Sequence, residues 1–461
     1  MHFESDRITR LILAASKKAH RETGASPDSR IVKIVEWPVT CTVGPGLEGA
    51  IACESKVGYV NGAQGGLSYR GYDIFDLCAH SNYEEVCFLL LIGNLPSKAE
   101  LRGFSDKLRD YLHIPDVLRQ LAGFPIERMN PMAALRLGTN LMRHEQTDLD
   151  FLRGKADEAK IGTDEDSIPM ETLPRGEEHA IYEFRRRQPI RDRNLAACCR
   201  LISGVASMAA AIARMREGHL PLAPDPELSY AGNVLYMTSG ERPSAEETRI
   251  MDVALILHAD HGMNASTFAA LVVASTLADV YSSVSAGIGA LTGPLHGGAN
   301  EQVMHMLRGI GSVANVKPWV KATLAEKKRV MGFGHRVYKV YDPRARVLAP
   351  LAALSGRGKV ANKGLFQIAA ALETEIASRL GKKGIFPNVD FYSGLVYTGL
   401  GISERMFTPM FAVSRVAGWT ARILEYLKNN RIFRPRVMYS GAVDRHYVPI
   451  AARRPARRKK R

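Results

Sequence analysis

Four glycine-bearing segments in the second half of the chain gather the residues that could do chemistry. They are Leu257-His-Ala-Asp-His-Gly-Met-Asn264, Gly293-Pro-Leu-His-Gly-Gly-Ala-Asn-Glu301, Gly332-Phe-Gly-His-Arg-Val-Tyr-Lys-Val-Tyr-Asp-Pro-Arg344 and Asn388-Val-Asp-Phe-Tyr-Ser-Gly394. A histidine among glycines sits on a loop where backbone can come close to a ligand. Three loops that each offer one titratable group, His296, His335 and Asp390, make an acid–base site. Singly, each is an ordinary turn histidine or helix-capping aspartate. His258 and His261 stand three residues apart with Asp260 between them, but no third ligand is spaced nearby, so no metal site is expected and His258 reads as a packed histidine. Gly287-Ile-Gly-Ala-Leu-Thr-Gly293 has the wrong glycine spacing for a dinucleotide site and follows a helix pattern; no G-x-x-x-x-G-K-[ST] loop occurs, and His144-Glu-Gln-Thr-Asp148 is not a zincin pair.

The elements that must carry these loops read as mainly α. Residues 1–45 look like an N-terminal extension, a basic amphipathic helix followed by a linker with Pro38, Gly44 and Pro45. Glycines and alternating residues from Gly46 to about Gly66 suggest a small β-hairpin. Helical spacing then governs Tyr83–Leu91 and Lys98–Leu112, separated by Gly93-Asn-Leu-Pro96. Asp148 to about Glu178 is acidic and poor in large apolar residues, as a surface insertion would be. Helical patterning resumes at Asn194 and stops at Gly218; Ser244 and Glu247 form a capping box ahead of Ile250–Leu257. Asn264–Leu291, rich in Ala, Ser and Gly, reads as one long helix that other backbones can approach closely.

Composition bounds the rest. The 461 residues are 46% hydrophobic and 24% charged, an ordinary globular balance. Net charge is +15, but seven of the cations occupy the last nine residues, so the tail does not classify the body. Six scattered cysteines without a C-x-x-C pair exclude a disulfide scaffold and fit a reducing compartment. Acidic Glu4 and Asp6 precede the first apolar residues, unlike a secretory leader, and the most apolar run, Thr267–Ala278, is too short to span a bilayer. A cytoplasmic protein with no membrane partner is the expectation.

The four segments, with Tyr69-Arg-Gly-Tyr-Asp-Ile74, resemble the citrate synthase family in order and wording from about Gly46 to Val448-Pro-Ile450. The resemblance implies a mainly helical two-domain fold: a large domain from 46–297 and 394–448, a small domain at 298–393, the acidic insertion at 148–178, and a basic tail at 449–461. It implies an acyltransferase of the tricarboxylic acid cycle that condenses acetyl-CoA with oxaloacetate, needs no cofactor or metal, and works as a homodimer. Asp390 would be the base on the acetyl methyl, His296 the donor to the thioester oxygen and His335 the donor to the oxaloacetate ketone. His261, Arg344, Arg415 and Arg434 would hold oxaloacetate, Arg434 reaching into the neighbouring subunit, and Lys339 would meet the CoA phosphates. Gly262 stands where the family usually has Glu. The same resemblance admits a 2-methylcitrate synthase using propionyl-CoA. A reading of another class, an inactive relative binding nucleic acid through its tail, is opposed by the intact set His296, His335 and Asp390.

Overall fold

The computed structural model describes residues 2–23, 37–143, 193–355 and 363–453. The acidic insertion and the last eight residues of the basic tail lie outside these. The described helices are α1 (His2–Thr23), α2 (Ile74–His80), α3 (Tyr83–Ile92), α4 (Lys98–Asp110), α5 (Pro115–Ala122), α6 (131–143), α7 (Arg193–Arg216), α8 (Tyr230–Ser239), α9 (Ala245–His258), α10 (Ala265–Ser275), α11 (Val280–Leu291), α12 (Ala299–Ile310), α13 (Val316–Ala325), α14 (Pro343–Ser355), α15 (Lys363–Leu380), α16 (Val389–Gly399) and α17 (Phe407–Leu427). An antiparallel sheet of β1 (Gly58–Asn61), β2 (Gly66–Tyr69) and β3 (Tyr72–Asp73) precedes α2. The expected hairpin forms, but later than the Gly46–Gly66 expected for it, from Gly58 to Tyr69, and it gains a third short strand, with Gly58 opposite Tyr69 and Tyr69 opposite Tyr72.

Local chemistry sets the helix starts. Ser97 with Glu100 and Ser244 with Glu247 close reciprocal capping boxes on α4 and α9. Asn264, Asp279 and Asn388 accept backbone N–H bonds at the starts of α10, α11 and α16. The single long helix expected over Asn264–Leu291 is two. Leu277 adopts a left-handed backbone (φ 65°) and is 72% exposed, and Asp279 begins a new helix by capping Ser282. The chain thus folds back, and α10 packs along α11.

The core centres on α17, buried almost continuously from Phe407 to Ile423 and packed on α3, α7, α9, α10 and α11. Small residues on α11 let the fully buried Trp419 ring lie against Gly287. Asn194–Arg216 is long and apolar enough to cross a membrane by length and composition, more so than the run singled out from sequence, but most of it is buried against α8 and α17. The helices α12 to α16 pack mainly on one another, α14 and α12 against α16 and α13 against α15. The first helix is not detached. Ile8 and Ile12 are wholly buried, each worth about 1.5–3 kcal/mol, as α1 packs on α2, α9 and α14.

Candidate active site

The His335 loop is clipped to the chain entering α16. Gly334 N–H donates to Phe386 O, Asn388 N–H to Gly332 O, and the Asn388 side chain to Gly334 O, each at 2.9 Å. Gly332 sits at φ 77°, and a β-carbon there would lie 2.8 Å from Val303 and 2.9 Å from Phe391, so no other residue fits the clip. His335 Nδ1 accepts the backbone N–H groups of Val337 at 3.0 Å and Tyr338 at 3.1 Å. That assigns the ring proton to Nε2. Burial first, then the Arg344 charge, pushes the imidazole down to about 4, so it is a neutral hydrogen-bond donor at physiological pH.

His296, between α11 and α12, is tied the opposite way. Its Nε2 accepts the Ser266 backbone N–H at 3.3 Å and lies 2.8 Å from Ser266 Oγ, which leaves the proton on Nδ1. Ser266 is held in turn by Asn264 Oδ1 at 2.7 Å and Trp419 Nε1 at 3.3 Å. Burial, with Arg415 adding to it, lowers this imidazole to about 4 as well. Asp390 is the second residue of α16, where Asn388, not Asp390, provides the cap. Burial raises its carboxyl to about 6, outweighing the Arg344 and Arg415 charges that act on it. The same two guanidinium groups therefore act on all three groups: Arg344 on His335, Arg415 on His296, both on Asp390.

The arginines differ in their partners. Arg344, almost fully buried, forks onto Asp342 through Nε at 3.0 Å and Nη2 at 2.8 Å. Arg415 is 1% exposed, yet its Nε donates only to the His258 carbonyl, at 2.6 Å, and no carboxylate lies within 4.0 Å of it among the described residues. Its guanidinium lies 4.6 Å from the Phe411 ring centre. Burial presses its proton affinity down to about 10 despite Asp260. A buried cation in that condition is costly unless an anion arrives. His261 completes the cluster, its ring 5.2 Å from that of His335 and its Nε2 3.2 Å from Tyr338 Oη; burial and the flanking Arg344 hold it well below the usual histidine range.

Some supporting residues escaped the sequence reading. Tyr338 bridges His261 and His335; Ser266 fixes the His296 tautomer; Arg422 forks onto buried Asp260 at 2.7 Å through both nitrogens, locking the turn before His261. Tyr338 stood inside a quoted motif, three residues after His335, but Asp260 and Arg422 are 162 positions apart and share no local signal. Gly262 takes φ 62° and donates its N–H to Asp260 at 3.1 Å, so the departure from the family pattern occupies a left-handed turn. His258 is buried and packed, as read from sequence. Lys339 is exposed, with Nζ on Arg336 O; Arg434 is exposed, with Nη1 on Pro435 O, and neither joins the cluster within one protomer. Among the described residues, no group of three or more His, Cys, Asp and Glu side chains is placed to hold a metal ion.

Such a geometry sets neutral imidazoles and a shielded carboxyl near a buried guanidinium in a mainly helical chain. The chain belongs to the citrate synthase family, whose members are acyltransferases. The family model described as "Citrate synthase, C-terminal domain" matches residues 46–436. The chain is 42% identical over 415 residues to the citrate synthase of Deinococcus radiodurans, covering 89% of this chain and 99% of that one. It is 40% identical over 410 residues to that of Acidithiobacillus ferridurans, covering 89% and 98%. Among solved structures, citrate synthase from Thermotoga maritima aligns with a TM-score of 0.72 at 36% identity, covering 90% of this chain and all of that one. The enzyme from Thermoplasma acidophilum, solved as a ternary complex with carboxymethyl coenzyme A and oxaloacetate, aligns at 0.76 and 33%, covering 90% and all of it.

Proposed function

We propose that His296, His335 and Asp390 carry the condensation of acetyl-CoA with oxaloacetate, and that His261, Arg344 and Arg415 hold the oxo acid. The observation that carries this reading is Arg415: a buried guanidinium without a carboxylate, whose charge acts on both His296 and Asp390, is fitted to a ligand that brings its own carboxylate. Asp390 takes a proton from the acetyl methyl while His296 donates through Nδ1 to the thioester oxygen, where charge develops. The resulting enol carbon bonds to the ketone carbon of oxaloacetate. His335 donates through Nε2 to the ketone oxygen, which becomes the hydroxyl of citryl-CoA; water then releases citrate and CoA thiol. Neutral imidazoles suit this task, because a donor near the proton affinity of an enol shares a proton without trapping an ion. Hydrogen bonds supply the polarisation, so the scheme calls for no resident metal or cofactor.

Segment 298–393, whose helices pack mainly on each other, would be the small domain that closes over oxaloacetate and excludes water. Exposed Arg434 would complete a neighbouring protomer's site in a homodimer, and Lys339 would meet CoA phosphate. Six free thiols, four of them buried, fit a reducing cytoplasm. The test is free-thiol release with oxaloacetate and either acetyl-CoA or propionyl-CoA. Faster turnover of acetyl-CoA is expected, and a pocket rejects one extra methylene by only about 1–3 kcal/mol. A preference for propionyl-CoA would make the enzyme a 2-methylcitrate synthase instead, and no release with either would sink the assignment of these residues.

A further inference from the structure

Behind the carboxyl assigned as base, three buried polar atoms have no hydrogen-bond partner: Asp390 Oδ1, Tyr397 Oη and His258 Nε2. Asp390 and Tyr397 are seven residues apart on α16, two turns along one face. His258 comes from α9, its ring centre 6.1 Å from that of Tyr397. His258 Nδ1 bonds the Ala254 carbonyl at 2.7 Å and must donate, so its Nε2 is a bare acceptor. Asp390 as a residue is half-buried while its Oδ1 is wholly shielded, so what exposure it has lies away from that oxygen. Two acceptors and one phenol are thus left unpaired, with the phenol beside the His258 ring and under the influence of the Asp390 charge, and each unpaired buried group is costly.

We propose that Tyr397 and His258 are positioning residues for the base, joined to it by one buried water that accepts from Tyr397 and donates to Asp390 Oδ1 and His258 Nε2. A water has two protons and a free lone pair, so this arrangement satisfies all three atoms at once. It fixes the carboxyl rotamer with Oδ2 toward the substrate and gives the ionised form a donor on its inner oxygen. The phenol cannot compete as a base, since burial and the Asp390 charge raise it above its ordinary range. The other groups acting on Asp390 are Arg344 and Asp342 at the start of α14 and Arg415 on α17.

The inference rests on Asp390 being the base, and the test separates the two. In Tyr397→Phe the ring stays and the O–H goes, so the ionised carboxylate loses support and the acid limb of the kcat profile should move up by about one pH unit. Starting from a carboxyl near 6, that is about a fivefold loss of kcat at pH 6 and almost none at pH 8, with the KM for oxaloacetate and the melting temperature little changed. Placing 3-fluorotyrosine at 397 strengthens the donor without removing it and should move the limb the other way. Ser393 Oγ, also buried and without a partner, is the rival donor on α16; Ser393→Ala should leave the limb in place. A limb that ignores both changes at 397, or one that follows Ser393, overturns the inference while leaving the base intact. Turnover surviving in Asp390→Asn overturns the base reading itself.

Discussion

The carboxyl of Asp390 and the guanidinium of Arg415 are each less stable where they sit than they would be in water, and that is the chemical content of the site. Asp390→Ala should cut turnover by at least about a thousandfold while oxaloacetate still binds, as read by its effect on the melting temperature. With burial setting the carboxyl near 6, activity of the parent enzyme should fall as pH drops through that value, because the protonated acid cannot act as base. Arg415→Met should do the reverse of a usual active-site change. It removes an uncompensated buried charge, so the melting temperature should rise, while the oxaloacetate KM climbs roughly 10- to 100-fold as charge-assisted hydrogen bonds are lost. Excess oxaloacetate should raise the melting temperature of the parent and not of the variant. A variant that melts lower would show that Arg415 is already satisfied in the protein. The three residues proposed to handle protons could be picked out in sequence because each sits inside a long motif. Their tautomers were not, since Ser266, which fixes His296, arrives from a helix 30 positions earlier.

Helices were legible where cap and period agreed, as at Ser244–Glu247, whereas the equivalent box Ser97–Glu100 emerges only in the structure. They were misjudged where composition stayed uniform: nothing in the Ala- and Ser-rich run through Leu277 announces a left-handed residue, and only Asp279 hinted at a new start. A different conflict lies where α3 meets α9. Buried Glu84 and Asp252 crowd two carboxyls together; Asp252 accepts the Tyr83 N–H at 2.8 Å and stands 3.5 Å from Arg249. Burial, with Glu84 adding to it, raises Asp252 from 3.8 to about 7. A carboxyl held above its unfolded value stabilises the fold at low pH and loses that contribution as pH rises toward the folded value. Asp252→Asn keeps an acceptor for Tyr83 and removes the charge. Between pH 4 and 7 the parent should therefore lose on the order of 1–3 kcal/mol relative to the variant in chemical denaturation. Parallel stability curves would show that the pair is neutralised some other way.

For the molecule as a whole, the family and the helical class could be read from a few dozen residues, whereas the long-range ties could not: the Arg422–Asp260 fork has no counterpart in local pattern. The proposed exchange of Arg434 between protomers makes a quantitative expectation. Asp390→Ala and Arg434→Ala proteins, each inactive alone, should regain about a quarter of parental activity when unfolded and refolded as an equal mixture, since half the dimers are hybrids with one sound site in two. No recovery would place Arg434 outside the partner's site. The seating of the first helix carries a consequence of its own. Its Ile8 and Ile12 fill the seam between α2, α9 and α14, and Glu22 pairs with Arg346, two residues along from Arg344. A protein shortened to begin at Gly46, where the family likeness starts, would open an apolar trench beneath the very helix that carries Arg344, the arginine proposed to hold the oxo acid, so residues with no part in the reaction would govern how firmly that ligand is gripped.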